Sequence, residues 1–396
     1  MAAKKLQVGW YGLGSMGKPM AENLQKYLAK NDQSLIFNNR TMASGDSLKD
    51  LGASPASSFG ELVTKSDVVF TMVNNDDTLK SLLQQAYDTK DLSGKIFVDC
   101  STVHPDTTKA VTDEITKHKA TYLAAPMFGG PAIAVPGKLV VAIGGPSSAV
   151  ETVKPYFQDV IARKVIVCKE EPQSASMLKI AGNIITVNLM EAVSEAQVFA
   201  EQTGIGCGPM EELITEGFGP VAGGYSGRMT SGNYAPALDK RPGFGVSLSI
   251  KDANYALAIA EDKGVKLPAT EIANKNMKAA RDEHGEVLDC ASMYGTLRKE
   301  AGLNFFNDKS RQSDDALVNH LIPLCDNSVG RGQSDTHVRH QQGNTRAQRS
   351  SAVRPPCFSN SGDVRKIGDM GMTRAMAKEV MTRASSGKAA GPDTSV

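Results

Sequence analysis

The sequence predicts an α/β fold in which a doubly wound, largely parallel sheet is followed by an all-helical domain and a disordered tail. Short Val- and Ile-rich runs alternate with helix-length segments as far as about residue 167, which is the pattern of βαβ units. From about residue 174 the apolar residues follow helical spacing instead. The chain has 396 residues, of which 41% are hydrophobic, so it is long enough for two separate cores.

The strand signals of the first domain lie at residues 6–10, 35–38, 68–72, 96–99 and 139–143. Near Pro172 the pattern changes to a long helix over 174–203, and Gly204 ends it, as a glycine commonly ends a helix. Further helices are expected at 210–215, 249–263 and 270–284. We therefore predict a sheet domain over 1–172 and a helical domain over 173–306.

Residues 307–396 differ in composition from the rest of the chain. Phe358 is their only aromatic residue and Glu379 their only glutamate, whereas Arg, Ser, Gly, Gln and Asp are frequent. Such a segment cannot bury enough apolar surface to offset the entropy of ordering it, so we expect a disordered tail with at most a marginal helix at 370–382. Its 13 Lys and Arg against 9 Asp and Glu leave a second interpretation open, a mildly basic arm for an acidic partner.

The composition of the whole chain excludes several kinds of partner. Lys and Arg number 44 against 43 Asp and Glu, so no charge excess indicates binding to nucleic acid or to an anionic membrane surface. The longest apolar stretch, residues 180–200, is interrupted by Asn183 and Glu191, which a bilayer core would not tolerate. The first strand signal begins at residue 6, which leaves no room for a leader peptide, so a cytoplasmic protein is expected. A small-molecule partner fits this composition best.

The six cysteines show no pattern of paired spacing. They stand apart along the chain, without a CxxC pair, at positions 100, 168, 207, 290, 325 and 357. This spacing argues against a disulfide framework and against a zinc site, and no metal is expected. We interpret the cysteines as reduced, buried thiols.

A glycine motif follows the first predicted strand. Residues 12–17 read GLGSMG, a GxGxxG that comes directly before a helical pattern at 19–30. In this context Gly12 permits a tight turn, Gly14 admits a pyrophosphate close to the backbone, and Gly17 lets helix and strand pack together. Leu13, Ser15 and Met16 would offer backbone N–H groups at the helix N-terminus. The motif predicts a dinucleotide-binding domain of the Rossmann type; the alternative is a purely structural glycine turn.

The end of the second predicted strand selects the cofactor. NAD-binding proteins usually carry an Asp or Glu there, which accepts hydrogen bonds from the adenosine ribose. This chain has Asn39, Arg40 and Thr41 instead. An arginine beside a hydroxyl suits a 2′-phosphate, which a carboxylate would repel, so NADP(H) is expected in preference to NAD(H). The alternative is that Arg40 is only a solvated loop charge.

Five sequence blocks resemble the β-hydroxyacid dehydrogenase family over about residues 5–302. In the order of the family, they are GLGSMGKPMAENL at 12–24, DCSTVHP at 99–105, APMFGG at 125–130, KIAGN at 179–183 and KD at 251–252. The family includes 3-hydroxyisobutyrate dehydrogenase and shares the superfamily of 6-phosphogluconate dehydrogenase. Each block alone is weak, whereas the five together are specific. The resemblance implies hydride transfer between a small hydroxyacid and NADP(H), and a homodimer or homotetramer.

The resemblance also assigns roles to residues. Lys179 would be the catalytic acid and base, and Asn183, one helical turn away, would orient the substrate. Gly129 and Gly130 would hold the substrate carboxylate on their backbone N–H groups, and Ser101 would contact the substrate. The cofactor would further be bound by residues at the strand ends and on a later helix, namely Val73, Asn74, Thr102 and Lys251.

Physical alternatives to these roles remain open at this stage. For Ser101 or Thr102 the alternative is a helix N-cap, and for the pair of Lys251 and Asp252 the alternative is a helix-terminal ion pair. Most lysines on helices are solvated. A glycine- and aromatic-rich segment is interpreted as a flexible wall over the site or as a plain connection; it contains Gly223, Gly224, Tyr225, Met229, Tyr234, Phe244 and Gly245.

One departure from the family concerns the substrate. The family usually has a serine just before the paired glycines, and here the residue is Phe128. The lost hydroxyl and the added apolar bulk predict a substrate that is less polar or larger, and its identity stays open.

Three rival functions remain. One rival is a decarboxylating phosphogluconate dehydrogenase, but those enzymes have a histidine where this chain has Gly182. A second rival is an imine reductase, but those relatives usually replace the catalytic lysine, which is present here as Lys179. The third rival is a non-catalytic NADP(H)-binding sensor or scaffold, and the presence of Lys179 argues against it because such proteins tend to lose this lysine.

Overall fold

The computed structural model of the chain describes residues 5–89 and 91–311. Within these residues the predicted fold is confirmed: a parallel sheet flanked by helices precedes a helical region. Residues 312–396 of the tail predicted for 307–396 lie outside the described residues, and so do the short helix at 370–382 and two of the cysteines, Cys325 and Cys357.

The strands of the described residues form two sheets. In chain order they are β1 (Val8–Tyr11), β2 (Ile36–Asn38), β3 (Ser54–Pro55), β4 (Val68–Thr71), β5 (Ile96–Asp99), β6 (Thr121–Ala124), β7 (Met127–Phe128), β8 (Leu139–Ile143) and β9 (Ala162–Val167). The first six form a parallel sheet with the order β3-β2-β1-β4-β5-β6. The chain order reverses between β1 and β4, and in such sheets ligands bind beside that point, outside the carboxyl ends of the strands.

The helices of the described residues alternate with the strands and then continue alone. They are α1 (Gly17–Ala29), α2 (Asp46–Asp50), α3 (Phe59–Lys65), α4 (Asp76–Tyr87), α5 (Pro105–Lys117), α6 (Pro131–Ala134), α7 (Ser147–Phe157), α8 (Gln173–Gln202), α9 (Cys207–Thr230), α10 (Val246–Asp262), α11 (Pro268–His284) and α12 (Met293–Glu300). None of these helices is long and apolar enough to cross a membrane.

Three apolar clusters stabilise this arrangement. One covers a face of the six-stranded sheet, where the fully buried Trp10 stacks on Phe70 with ring centroids 5.4 Å apart. A second covers the other face, around Phe59 and Phe97. The third lies among α8 to α12. The 30-residue α8 carries buried side chains in both regions, from Ala175 in the sheet cluster to Met190 in the helical one. Residues of both regions are therefore held on one rigid element.

The structure corrects several sequence-based predictions. The strand at 139–143 does not extend the six-stranded sheet; as β8 it lies in a separate sheet with β7 and β9, in which β7 is antiparallel. The chain turns back between β7 and β8 through residues 129–138, which include the short helix α6, and these two strands therefore pair antiparallel. The short strands β3 and β6 were not predicted, and β9 was missed because its outward residues, such as Arg163, interrupt the apolar run.

The predicted glycine-rich wall is wrong for most of its residues. Gly223 and Tyr225 lie inside α9, which is broken by a kink at Gly219, and Tyr234 is fully buried in the helical core. A side chain at Gly223 would lie 2.4 Å from the hydroxyl of Thr215 across the kink, so the glycine serves close packing.

Two further predictions need adjustment. Residues 307–311 are described and pack against the helical region: Asn307 donates to the Met229 carbonyl oxygen at 2.8 Å, and Ser310 is buried. Among the described cysteines, Cys100 and Cys290 are buried, whereas Cys168 and Cys207 are partly exposed; all four are free thiols.

Candidate active site

The glycine turn after β1 has the shape that the motif predicts. Gly12 has a φ of +100°, and a side chain there would lie 2.0 Å from the carbonyl oxygen of Met72. A side chain at Gly17 would lie 2.0 Å from the carbonyl oxygen of Gly12, so α1 and β1 can approach only with glycine at this position. Gly14, by contrast, faces open space. The backbone N–H groups of Gly14 and Ser15 donate to no other described residue, so the turn fits an incoming pyrophosphate.

The predicted cofactor-selecting segment lies beside this turn. The Asn39 side-chain oxygen accepts a hydrogen bond from the Leu13 N–H at 2.9 Å, which ties the end of β2 to the glycine turn. Arg40 and Thr41 are exposed, and Arg40 forms no ion pair with the described residues. Burial raises the pKa of Tyr11, and the nearby charge of Arg40 opposes that rise. The guanidinium therefore lies at the same sheet edge and is available to a ligand.

The ends of β4 and β5 are connected through a buried carboxylate. Asp99 accepts hydrogen bonds from the hydroxyls of Ser101 at 2.6 Å, Thr71 at 2.8 Å and Tyr122 at 3.1 Å. Burial raises the pKa of Asp99, and these hydrogen bonds oppose the rise. Ser101 also accepts from the Val73 N–H at 2.8 Å, so its hydroxyl is largely engaged.

Two more of the predicted residues lie at this edge. Asn74 is exposed beside Val73, and Thr102 is partly buried. The N-cap alternative for Ser101 and Thr102 is wrong, because His104 caps α5 by accepting from the Asp106 N–H.

On the helical side, Lys179 and Asn183 meet as their spacing predicts. The Lys179 ammonium donates to the Asn183 side-chain oxygen at 3.0 Å. The Asn183 side-chain nitrogen in turn donates to a carboxylate oxygen of Asp252 on α10 at 2.6 Å. Both Asn183 and Asp252 are almost fully buried. The amide orientation of Asn183 is thus fixed from both sides, and it links the lysine to the aspartate.

The surroundings of Lys179 change its acidity. Its ammonium lies 4.7 Å from the ring centroid of Phe128, and that ring in turn fills the space above Gly182, where a side chain would come within 2.2 Å of it. Burial lowers the pKa of Lys179 to about 8; the charge of Asp252 raises it and the charge of Lys251 lowers it further. At neutral pH the lysine therefore holds a proton that it can release.

Lys251 connects the two halves of the site. It forms an ion pair with Asp252 at 2.8 Å and donates to the Thr102 carbonyl oxygen at 2.6 Å, at the carboxyl edge of the sheet. Beside it, the Tyr255 hydroxyl donates to Asp76 at the start of α4. The helix-terminal ion pair considered from sequence is only partly correct, since the pair is formed but lies in the second turn of α10.

The paired glycines follow Phe128 directly. Gly129 has a φ of +116° and Gly130 precedes the short helix α6. The N–H of Gly130 donates to no other described residue. Because Phe128 contacts Lys179, this turn borders the same space as the lysine.

Sequence reasoning named Asp252 only as half of a dipeptide and missed its position between two lysines. The available signal was an aspartate among the small and apolar residues of α10 that are buried, such as Ala253 and Ala256. The structure thus brings Lys179, Asn183 and Lys251 together through this aspartate and joins them to Thr102. The segment with Arg40 lies on the other side of the glycine turn and makes no contact with this network.

Two family models match the chain. One, described as the NAD binding domain of 6-phosphogluconate dehydrogenase, matches residues 7–169. The other, described as NAD-binding of NADP-dependent 3-hydroxyisobutyrate dehydrogenase, matches residues 174–297. Together they cover well over half of the chain. They define the class: a dehydrogenase with an NAD(P)-binding domain.

Relatives with assigned names narrow the class. The chain is 29% identical over 296 residues to 2-hydroxy-3-oxopropionate reductase of Escherichia coli, covering 74% of this chain and 97% of that protein. It is 28% identical over 280 residues to glyoxylate/succinic semialdehyde reductase 1 of Arabidopsis thaliana, covering 70% and 93%. It is 27% identical over 293 residues to an NADH-dependent oxidoreductase of Aspergillus ustus, covering 73% and 98%.

A solved structure shares the fold. The 3-hydroxyisobutyrate dehydrogenase of Salmonella typhimurium superposes with a TM-score of 0.65 at 22% identity, covering 73% of this chain and 99% of that one. The chain belongs to the β-hydroxyacid dehydrogenase family, whose members are NAD(P)-dependent oxidoreductases acting on CH–OH groups.

Proposed function

We propose that the protein interconverts a small β-hydroxyacid, or a related alcohol, and the corresponding aldehyde or ketone, with NADP(H) as the preferred cofactor and Lys179 as general acid and base. The observation that carries the proposal is the enclosed Lys179 with a pKa of about 8, hydrogen-bonded to Asn183 and through it to Asp252. A group that titrates near working pH is what proton transfer to and from an oxygen requires.

The residues divide the work as follows. During reduction, the Lys179 ammonium donates a proton to the carbonyl oxygen of the substrate; during oxidation, the neutral amine removes it from the hydroxyl. When bound, the nicotinamide supplies or accepts the hydride. Asn183 orients the Lys179 ammonium through a hydrogen bond, because the amide of Asn183 is itself fixed by Asp252. Phe128 shields the ammonium from bulk water, which keeps its pKa low.

The substrate would be held from the sheet side. The unpaired N–H of Gly130 and the neighbouring Gly129 would bind its carboxylate. The hydroxyl of Ser101 donates to Asp99 and accepts from Val73, which leaves one lone pair for a donor on the substrate or on the cofactor amide. The names of the relatives refer to aldehyde acids, which agrees with an acidic substrate. Phe128 adds an apolar wall and favours a less polar or larger member of that class.

The cofactor preference is supported by Arg40 and Thr41, which are exposed beside the glycine turn and would bind the 2′-phosphate. Lys251 and Thr102 would contact the nicotinamide end. Because one relative is named as NADH-dependent, the preference needs a direct measurement. Wild type should show a higher kcat/KM with NADPH than with NADH. Arg40→Ala should lower only the NADPH value, about tenfold to hundredfold. Arg163→Ala, an exposed arginine on β9, is the control; equal use of both cofactors by wild type would contradict the preference.

The reaction is tested by following NADPH consumption across small aldehydes and 2- and 3-keto acids, with Lys179→Ala measured in parallel. We expect turnover in wild type, loss of at least a hundredfold in Lys179→Ala with NADPH binding intact, and no change in Lys275→Ala. Lys275 is a suitable control because it is an exposed lysine on α11. NADPH binding without turnover of any substrate would favour the non-catalytic sensor instead.

A homodimer or homotetramer is the expected assembly. Exposed apolar side chains on α8 and α9 support it, among them Ile185, Phe199, Phe218 and Val221. Light scattering of the purified protein tests this, and a monomer at micromolar concentration would contradict it.

A further inference from the structure

Arg228, on the C-terminal part of α9, is fixed by only one of its nitrogens. Its Nη1 forms an ion pair with Asp289 at 3.4 Å. Asp289 is almost fully buried and also accepts hydrogen bonds from the N–H groups of Phe244 at 2.8 Å and Ala291 at 3.1 Å. The aspartate is therefore held by the backbone, and it steadies the arginine over a distance longer than the 2.7–2.9 Å typical of a full charge-assisted hydrogen bond.

The second terminal nitrogen of Arg228 points to the glycine turn. Its Nη2 lies 3.4 Å from the position that a side-chain carbon would take at Gly130, and 3.8 Å from the same position at Gly243. Nη2 and Nε donate to no acceptor among the described residues, and 27% of the side chain is exposed. Arg228 thus presents unused donors next to the unused N–H of Gly130.

This turn also borders the lysine. Phe128 directly precedes Gly129, and its ring covers the Lys179 ammonium at 4.7 Å. From the other side, the guanidinium of Arg228 lies 5.7 Å from the ring centroid of Tyr225, and Tyr225 lies near Thr186 on α8, two turns after Lys179. Arg228 and Lys179 therefore flank the same segment, 128–130.

We propose that Arg228 is the principal anchor of the substrate carboxylate, which it binds through Nη2 and Nε together with the N–H of Gly130. The planar fork of a guanidinium matches a carboxylate, and it supplies the charge that the backbone turn alone lacks. The substrate class follows: an oxoacid or hydroxyacid whose carboxylate lies on Arg228, whose reacting oxygen lies on Lys179, and whose apolar part contacts Phe128. This inference rests on the proposed function.

The test separates charge recognition from a structural role. Arg228→Gln, Arg228→Lys and the control Arg281→Gln are compared; Arg281 has a similar exposure, 28%, and also pairs with an aspartate, Asp282. Binding of malonate and of its neutral analogue malonamide to the enzyme–NADPH complex is measured by calorimetry. We expect Arg228→Gln to weaken malonate binding about tenfold to hundredfold, Arg228→Lys to weaken it less, and malonamide binding to be unchanged.

Kinetics provide a second readout. For whichever acid the panel identifies, Arg228→Gln should raise KM about tenfold or more while kcat changes only a few-fold, and the methyl ester of the same acid should be unaffected. Equal losses for acid and ester, or wild-type malonate binding in Arg228→Gln, would overturn the proposal.

Two further features keep the test decisive. If loss of the Asp289 partner unfolds Arg228→Gln, Arg228→Lys retains the charge and decides the outcome by the same comparison of malonate and malonamide. A failure of the proposed function gives a different result, because Lys179→Ala would then keep turnover. The equilibrium binding of malonate would still test the role of Arg228 in that case.

Discussion

Replacing Lys179 with methionine should stabilise the fold while removing the proposed proton donor. Burial lowers the pKa of Lys179 from the usual 10.5 to about 8, and each unit corresponds to about 1.36 kcal/mol. Keeping the lysine charged in the folded protein therefore costs about 3 kcal/mol. Methionine has a similar length and no charge, but it leaves the Asn183 oxygen, at 3.0 Å from the ammonium, without its donor, which costs about 1 kcal/mol. The net gain at pH 7 is about 2 kcal/mol.

The gain has a defined pH window. Because the pKa of Lys179 is lower in the folded than in the unfolded protein, the penalty is full below about pH 8, where both states are protonated. It declines as the pH rises from about 8 to 10.5, since the folded protein then holds the neutral amine. The difference in unfolding free energy between the methionine variant and wild type should shrink over this range and change sign or vanish near pH 10.

Urea unfolding at pH 7, 8.5 and 10 measures this difference. Trp10, the single tryptophan, is buried in the sheet domain, so its fluorescence reports that domain, and far-ultraviolet circular dichroism is needed for the helices around Lys179. Lys275→Met, at an exposed position of α11, should stay within about 0.5 kcal/mol of wild type at every pH. A Lys179→Met protein that is less stable than wild type at pH 7, or whose gain does not depend on pH, would refute the reasoning.

Three further predictions concern the same network. As the pH increases through about 8, the kcat/KM for oxidation should rise and that for reduction should fall. Phe128→Ala should move both inflections to higher pH, because the Lys179 ammonium becomes solvated again. Inflections that do not move would contradict this. Asp252→Asn should move the Lys179 inflection downward, because the negative charge is lost, and an upward move would speak against the charge argument. It should also lower kcat at least tenfold, because the single amide oxygen cannot accept from both the Asn183 side-chain nitrogen and Lys251. Gly182→Ala should lower the urea midpoint, since its side chain would lie 2.2 Å from Phe128, and combining it with Phe128→Ala should restore part of the loss; simple additivity would exclude the contact.

Local signals made the fold and half of the site predictable. The glycine motif, the strand ends and the long helix depend on residues close together in sequence, and the spacing of four between Lys179 and Asn183 determines that they share a helix face. The two residues therefore meet as predicted. In the same way, Gly204 has the positive φ, +77°, that ends α8.

Contacts distant in sequence could not be predicted in this way. Asn183 and Asp252 are 69 residues apart, and Lys251 and Thr102 are 149 apart, so nothing in local periodicity indicates that they touch. The interpretation of the glycine-rich segment as a flexible wall was wrong for a related reason, because the sequence does not show which side chains a glycine packs against. Gly223 resembles a loop residue in sequence, yet its small size serves the close packing of α9 against Thr215 across the kink.

The charges of the network lead to one more consequence for the reaction. Lys179 and Lys251 share a single buried carboxylate, Asp252, so the site carries one positive charge more than it neutralises. A substrate carboxylate beside this site would supply the missing negative charge and raise the pKa of Lys179. Because kcat/KM reports the free enzyme and kcat the bound complex, the kcat inflection should lie at a higher pH than the kcat/KM inflection for an acidic substrate.

The same comparison with a neutral substrate is the control. For the methyl ester, burial without added charge should leave the two inflections together or shift that of kcat to lower pH, since the bound ester would only dehydrate the ammonium further. If the kcat and kcat/KM inflections of the acid differ no more than those of the ester, the bound carboxylate lies too far from Lys179 to neutralise it. The substrate would then be a longer acid than the space bordered by Phe128 and Gly130 indicates.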